Sequence, residues 1–331
     1  MKMAKNKETF EKAKQFMASK DNFALATHTR TDGDDLGSML AVAHALERAG
    51  KKFTMAVSGG VPRSLRFLPK QAEVLEDLAP NINQDICGNF GGIILFGCCN
   101  PKRTHIAQII AGAQNGLPIL NFDHHPDNEF YGEVNVVDTG KSSVAELVYD
   151  FLKYAEAQID APVATCLLAG IIHDTGSFMH ENTTAETLKA SGELLNAGAR
   201  TDKIFNSIFR KNLDDISAWG KALANLKIDA VKEAALCILS EKDLQEIKVR
   251  QGTFEGFVDI LNTIPGMKFS MFVRQDGELI KGSVRSREEK NTDVSDIARL
   301  FGGGGHKLAS GFALKGRLNK KPDGYCEVLP G

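Results

Sequence analysis

No stretch of this 331-residue chain approaches the roughly eighteen consecutive apolar residues that a membrane-crossing helix needs, and residues 1–20 lack the long apolar segment of a secretory signal. A cytoplasmic protein with no membrane partner is expected. An excess of either charge is also missing, since 40 basic against 42 acidic residues leave a net charge of −2. That balance excludes a broad basic face able to hold long duplex nucleic acid through its phosphates, so any phosphate handling has to be local. The six cysteines (Cys87, Cys98, Cys99, Cys166, Cys237, Cys326) contain no CxxC unit and no zinc-finger spacing. A reducing compartment follows, with Cys98 and Cys99 as ordinary residues closing an apolar run. Internal repeats and low-complexity tracts are lacking as well.

What is present is a 43% apolar fraction on a length that suits two domains, each with its own core. Through the first two-thirds, short runs of Val, Ile, Leu and Phe alternate with helix-period segments, the pattern of an α/β domain with a parallel sheet under flanking helices. Strands are expected near 22–28, 52–57, 92–96 and 118–123. Helices are expected at 37–49, 142–155, 162–172 and 184–197, the last closed by Gly198. From about residue 201 a charged helical connector leads into a smaller α+β pattern with a β-hairpin at 267–287 and a helix at 294–300. The expected division is therefore a catalytic domain over 1–200, a connector over 201–226 and a substrate-binding domain over 227–331, with a cleft between the two domains.

Four polar clusters punctuate this pattern. His28-Thr-Arg-Thr-Asp32-Gly-Asp34-Asp35 follows the first strand, and an imidazole with several carboxylates on one turn suits Mn²⁺ or a similar borderline-to-hard divalent ion. Reading Asp34 or Asp35 merely as a helix N-cap would leave His28 and Asp32 unexplained. Asp123-His124-His125 follows the fourth strand; adjacent strand residues face opposite sides, so both histidines reach one site only where the chain bends. His173-Asp174-Thr-Gly176 ends an apolar helix, where a carboxylate needs a partner and a metal is the natural one. The last cluster joins Ser283-Val-Arg285-Ser286-Arg287 to Phe301-Gly-Gly-Gly-Gly-His306-Lys307. Its glycine amides can converge on an anion, with Arg285, Arg287 and His306 adding charge-assisted hydrogen bonds, as in a phosphate cradle.

Taken in this order, the blocks resemble the DHH/DHHA1 phosphoesterase family over nearly the whole chain. That family includes nanoRNase/pAp phosphatases, RecJ-type exonucleases and cyclic-dinucleotide phosphodiesterases. Its opening motif, His-x-x-x-Asp-Gly-Asp-Ala, is met by His28, Asp32 and Asp34, with Asp35 in the usual alanine position and Thr31 in place of a common proline. Asp123-His124-His125 is the motif that names the family, Asp174 fits its last metal aspartate, and Gly302 to His306 is its GGGGH signature. The resemblance implies two Mn²⁺ ions, or a single one, with Mg²⁺ or Co²⁺ as alternatives. His28, Asp32 and Asp174 would hold one ion, Asp34 and His124 the other. It also implies catalytic roles for His125 and Asp123, and substrate contacts from Arg103, Arg285, Arg287, Gly303, Gly304, Gly305 and His306. The implied activity is 3′-5′ hydrolysis of short oligoribonucleotides (nanoRNA), or dephosphorylation of pAp, by metal-activated hydroxide. Linear or cyclic dinucleotides such as pApA and c-di-AMP are the alternative substrates, and a homodimer is left open.

One departure stands out. The family's second motif places a metal-bridging aspartate six residues before an arginine, and counting back from Arg103 gives Gly97. Glycine has no ligating side chain, which leaves Asn100 or a cysteine as the nearby substitutes. Loss of the bridging anion would weaken one metal or leave hydroxide or substrate phosphate between the two, and a catalytically impaired nucleotide-binding relative is the alternative. On this reading Gly97→Asp raises Mn²⁺ affinity and turnover.

Overall fold

Strands that are buried at successive positions build the first sheet, because both of its faces are covered. The structure is a computed structural model that describes the chain except residues 1–2, 30, 77–89, 105, 107–115, 210, 246, 248, 251, 322–325 and 330–331, and except the side chains of 3–5 and 208–209. Cys87 lies outside the described residues. The chain divides into two units, Met1–Phe209 and Arg210–Gly331, a boundary that falls inside the connector expected over 201–226.

In the first unit, β1 (Asn22–Thr27), β2 (Lys52–Ala56), β3 (Gly92–Phe96), β4 (Ile119–Asp123) and β5 (Val134–Val137) form a parallel sheet in the order β2-β1-β3-β4-β5. The order reverses direction between β1 and β3, and the crevice beyond the carboxyl ends of strands at such a switch point is where open α/β sheets bind ligands. Strand β5 was not anticipated: four residues give too short an alternation to register as a strand.

Helices α1 (Met3–Ala18), α2 (Gly33–Arg48), α3 (Val144–Tyr154), α4 (Ala161–Asp174), α5 (Ala185–Asn196) and α6 (Thr201–Phe209) complete this unit. Gly198 takes φ +92 just after α5, as the sequence pattern requires. Helix α2 starts four residues earlier than expected because Asp32 is its cap, accepting the amides of Asp34 and Asp35 at 2.9 and 3.1 Å. Beneath the sheet, Phe122 stacks on Phe96 (5.8 Å between centroids) and meets Phe151 of α3 at 5.1 Å. Helices α2 and α4 approach so closely that an ideal Cβ on Gly37 would lie 2.3 Å from the Cys166 carbonyl oxygen.

The second unit holds α7 (Leu213–Ala224), α8 (Glu241–Gln245), α9 (Phe257–Leu261) and α10 (Val294–Leu300). Its sheet contains β6 (Leu226–Asp229), β7 (Ala234–Leu239), β8 (Phe269–Asp276), β9 (Leu279–Ser286), β10 (Gly304–Gly305) and β11 (Ala309–Lys315), in the order β10-β11-β9-β8-β7-β6. Only β7 and β8 run parallel. The expected hairpin is β8–β9, whose alternating residues send Phe272 and Ile280 inward. A separate two-stranded ribbon joins β12 (Arg317–Lys320) to β13 (Cys326–Leu329). Among the described residues no helix is long and apolar enough to cross a membrane.

Candidate metal centre

Three segments of the first unit converge past the carboxyl edge of its sheet: the turn from β1 into α2, the end of β4, and the last turn of α4. Capping by Asp32 turns the chain so that Asp34 and Asp35 both sit in the first turn of α2, each 2% exposed. Three groups of ligand-type side chains result: His28, Asp32 and Asp35; Asp32, His173 and Asp174; and Asp34, His124 and Asp174. Within each, the potential ligand atoms lie within 4.8 Å of one another. Asp174 therefore stands with Asp34 and His124 and also with Asp32, while the resemblance grouped it with His28 and Asp32. His124 Nε2 is 3.4 Å from Asp174 Oδ2, and His28 Nε2 is 3.9 Å from Asp32 Oδ2 but 2.7 Å from Asp35 Oδ2.

So dense a set of carboxylates is electrostatically strained on its own. Burial first, then the charges of Asp174, Asp35 and Asp32, push the Asp34 carboxyl well above the usual carboxylate range. Burial and then Asp32 do the same to Asp35. Asp32 goes the other way: burial would raise it, but His173, His28 and the two capped amides together hold it below its usual value. A divalent cation would relieve the repulsion, and this donor set of imidazole nitrogens and carboxylate oxygens without thiolate fits Mn²⁺-type ions better than soft metals.

Asp123 and His125 form a unit of their own beside these groups. The fully buried Asp123 accepts the amides of His124 and His125 at Oδ1 (2.8 and 3.2 Å), the His125 ring at the same oxygen (2.6 Å), and Asn128 Nδ2 at Oδ2 (2.5 Å). These bonds bend the chain after β4 so that the rings of both histidines lie on one side, 4.8 Å apart. Burial would lower the His125 pKa, yet the bond and charge of Asp123 overcome it and raise the value. Conversely, burial would raise Asp123, and His125 with Asn128 depress it. The pair therefore favours imidazolium beside carboxylate.

At the end of β3, Gly97 adopts φ +64, a region that side-chain-bearing residues seldom occupy, and donates its amide to the Phe122 carbonyl at 2.9 Å. An ideal Cβ there would lie 1.8 Å from Asp35 Oδ1 and 2.7 Å from its Cγ. An aspartate at 97 would therefore have to displace the Asp35 carboxylate and adopt a backbone conformation that side-chain-bearing residues seldom take. The substitutes expected nearby are committed elsewhere. Asn100 Oδ1 accepts the Lys102 amide (3.1 Å), the Cys98 thiol points at the Phe96 carbonyl (3.5 Å), and Cys99 Sγ lies 3.6 Å from Asp127 and accepts from Arg103 at 3.2 Å. Burial pushes the Cys98 thiol well above its ordinary value, as for an inert core residue.

In the second unit the glycine run is built differently from an open cradle. The amides of Gly302 and Gly303 are spent on the Arg299 and Ala298 carbonyls at the end of α10, and Gly304 and Gly305 pair with Gly311 and Ser310. His306 is exposed and closes a turn in which its amide bonds the Ala309 carbonyl at 2.9 Å. Arg285 stands across from Ala309 on β9, with its Nε donating to Asp259 at 2.8 Å, and Arg287 follows as a partly exposed neighbour.

Two members of the first-unit groups, Asp35 and His173, were not singled out from the sequence as ligands, although each adjoins a residue that was. The missing signal is direction: the strand ends are recognisable as a string of letters, but which way a first-turn or last-turn side chain points is not.

Known proteins share the two domains. The profile of the DHH family, N-terminal domain, matches residues 22–171, and that of the DHHA1 domain matches 234–323. The bifunctional oligoribonuclease and PAP phosphatase NrnA of Thermus thermophilus is 30% identical over 295 residues, which cover 88% of this chain and 84% of that protein. Its namesake from Bacillus subtilis is 28% identical over 302 residues, 89% and 90% of the two chains. A crystal structure of an exopolyphosphatase-related protein from Bacteroides fragilis matches with a TM-score of 0.86 at 26% identity, covering 92% of this chain and 90% of that one. Two domain matches, the fold and these relatives together establish that the chain belongs to the DHH/DHHA1 phosphoesterase family.

Proposed function

We propose that this protein is a Mn²⁺-dependent phosphoesterase that hydrolyses short oligoribonucleotides and pAp. The observation that carries the reading is the set of overlapping His/Asp groups gathered at the switch point of a parallel sheet, with the His125 ring held against the Asp123 carboxylate beside them. When bound, divalent cations would neutralise charge on the reacting phosphate and bring a water's pKa toward neutrality. The chain's own contribution is positional. His28, Asp32, Asp34, His124 and Asp174 orient donors toward that chemistry, and His125 presents an N–H to a phosphate oxygen or to the leaving oxygen. No protein nucleophile is needed. The balanced net charge of −2 favours a substrate of a few nucleotides over a long strand, and the name shared by the two NrnA relatives points to the same class.

The test is hydrolysis, followed by chromatography, of a 5′-phosphorylated diribonucleotide, a five-nucleotide RNA, pAp and cyclic di-AMP with added Mn²⁺, using Asp174→Ala as background. Turnover of the short RNAs and pAp above that background is expected. Cleavage of cyclic di-AMP alone would move the substrate assignment to cyclic dinucleotides. Silence across the panel from folded, metal-loaded protein would overturn the enzyme reading.

A further inference from the structure

We propose that Asp35, on the first turn of α2, is a metal-ligating carboxylate of this chain and that it occupies the space which the side chain of residue 97 would otherwise fill. The inference rests on the metallophosphoesterase reading above and names a ligand that this reading does not include. Its first support is steric. The hypothetical Cβ of Gly97 falls 1.8 Å from Asp35 Oδ1 and 3.2 Å from Oδ2, so one carboxylate, and only one, can enter this space. Residue 97 is correspondingly the one that carries no side chain, on a backbone bent to φ +64.

The second support is the state of the carboxylate itself. Asp35 is 2% exposed, and its Oδ2, shielded from water, receives no aligned hydrogen bond from any described residue. That oxygen nevertheless stands 2.7 Å from His28 Nε2, closer than the 3.9 Å between His28 and Asp32. A buried carboxylate without a hydrogen-bond donor is costly unless a cation faces it. An imidazole nitrogen and a buried carboxylate oxygen converging in this way are arranged as ligands of a shared ion. Asp32 completes the set within 4.8 Å.

The third support is elimination within the neighbouring segment. Asn100, Cys98 and Cys99 each use their polar atoms on local partners, so none is turned toward His28. An oxygen from α2 therefore replaces one from the end of β3, and a donor set of imidazole and two carboxylates is kept.

The experiment uses the full chain stripped of metal, with Mn²⁺ binding followed by calorimetry and by the loss of free-ion Mn²⁺ resonance, and stoichiometry by elemental analysis. The variants are Asp35→Asn, Asp35→Ala, Gly97→Asp and the exchange Asp35→Ala/Gly97→Asp, each checked for native circular dichroism before titration. Asp35→Asn, which keeps the shape, is expected to weaken the tighter Mn²⁺ site at least tenfold. Gly97→Asp alone is expected to weaken it also, through crowding, and the exchange to bind more tightly than either of its single variants. Mn²⁺ affinity in Asp35→Asn equal to that of the unaltered chain would overturn the assignment of Asp35 while leaving the metallophosphoesterase reading intact. Failure of the unaltered chain to bind Mn²⁺ would overturn both.

Discussion

Asp123 shows how much of the chemistry is settled by one side chain. It is fully buried, it takes four hydrogen bonds, and through them it sets the direction of the chain after β4 and raises the His125 pKa. Asp123→Asn keeps the shape and removes the charge, placing an amide where the His125 ring needs an acceptor. Turnover of the short-RNA substrate is expected to fall about 10- to 100-fold, the usual effect of removing a group that orients a reacting one. The sign of the pH effect follows from the raised His125 pKa. In the proposed reaction the protonated ring is the form that donates, so the rate is expected to decline as pH rises through that value. Without the Asp123 charge the decline moves to lower pH. A pH–rate profile of the variant that keeps its alkaline limb in place would show that His125 is not the group titrating there.

Among the elements, the pairing of α2 with α4 matters most for the site, because the two helices carry Asp34 and Asp174 on ends that meet. Gly37 makes that closeness possible: a methyl group there would press on the Cys166 carbonyl oxygen, which is backbone and cannot swing away. Gly37→Ala is expected to destabilise the first unit by about 1–3 kcal/mol, the usual cost of overpacking. It should also weaken Mn²⁺ binding, since the first turn of α2 would move relative to the end of α4. Thermal unfolding and metal titration of the same preparation check both parts, and a destabilised variant with unchanged affinity would separate packing from the site.

The elements that were legible in the sequence are those whose signal is local. Strands β1, β3 and β4 announce themselves by apolar runs ending in His28, Gly97 and Asp123, and α10 matches its expected 294–300 span because Asp293 caps it and Gly302 follows it. What was not legible depends on contacts distant in sequence. Strand β5 is too short to carry a period, and the start of α2 depends on which of three aspartates turns back to cap it. Asp35 reads only as the residue in the family's usual alanine position until Gly97, 62 positions away, is seen to leave room for it. The same holds for Gly302 and Gly303 before His306, whose amides have local partners that spacing alone does not reveal.

On the scale of the whole molecule, the two units have separate cores, one around Phe96, Phe122 and Phe151, the other around Phe257 and Phe272. Every member of the three ligand groups belongs to the first unit. Residues 1–209 expressed alone should therefore bind Mn²⁺ with the stoichiometry of the full chain, and 210–331 alone should bind none. Elemental analysis of the two purified pieces decides this, and metal retained by the second piece would relocate the site. The wide spacing of the ligand residues along the chain has a consequence for biosynthesis. His28, Asp32 and Asp35 leave the ribosome early and together, His124 well after them, and Asp174 only with the last turn of α4, so the two donor groups that include Asp174 form only once α4 has docked. Because a ligand bound only by the native state adds its binding free energy to that state, cation capture would act as a late proofreading step, locking chains that have finished folding and leaving incomplete ones exposed to turnover.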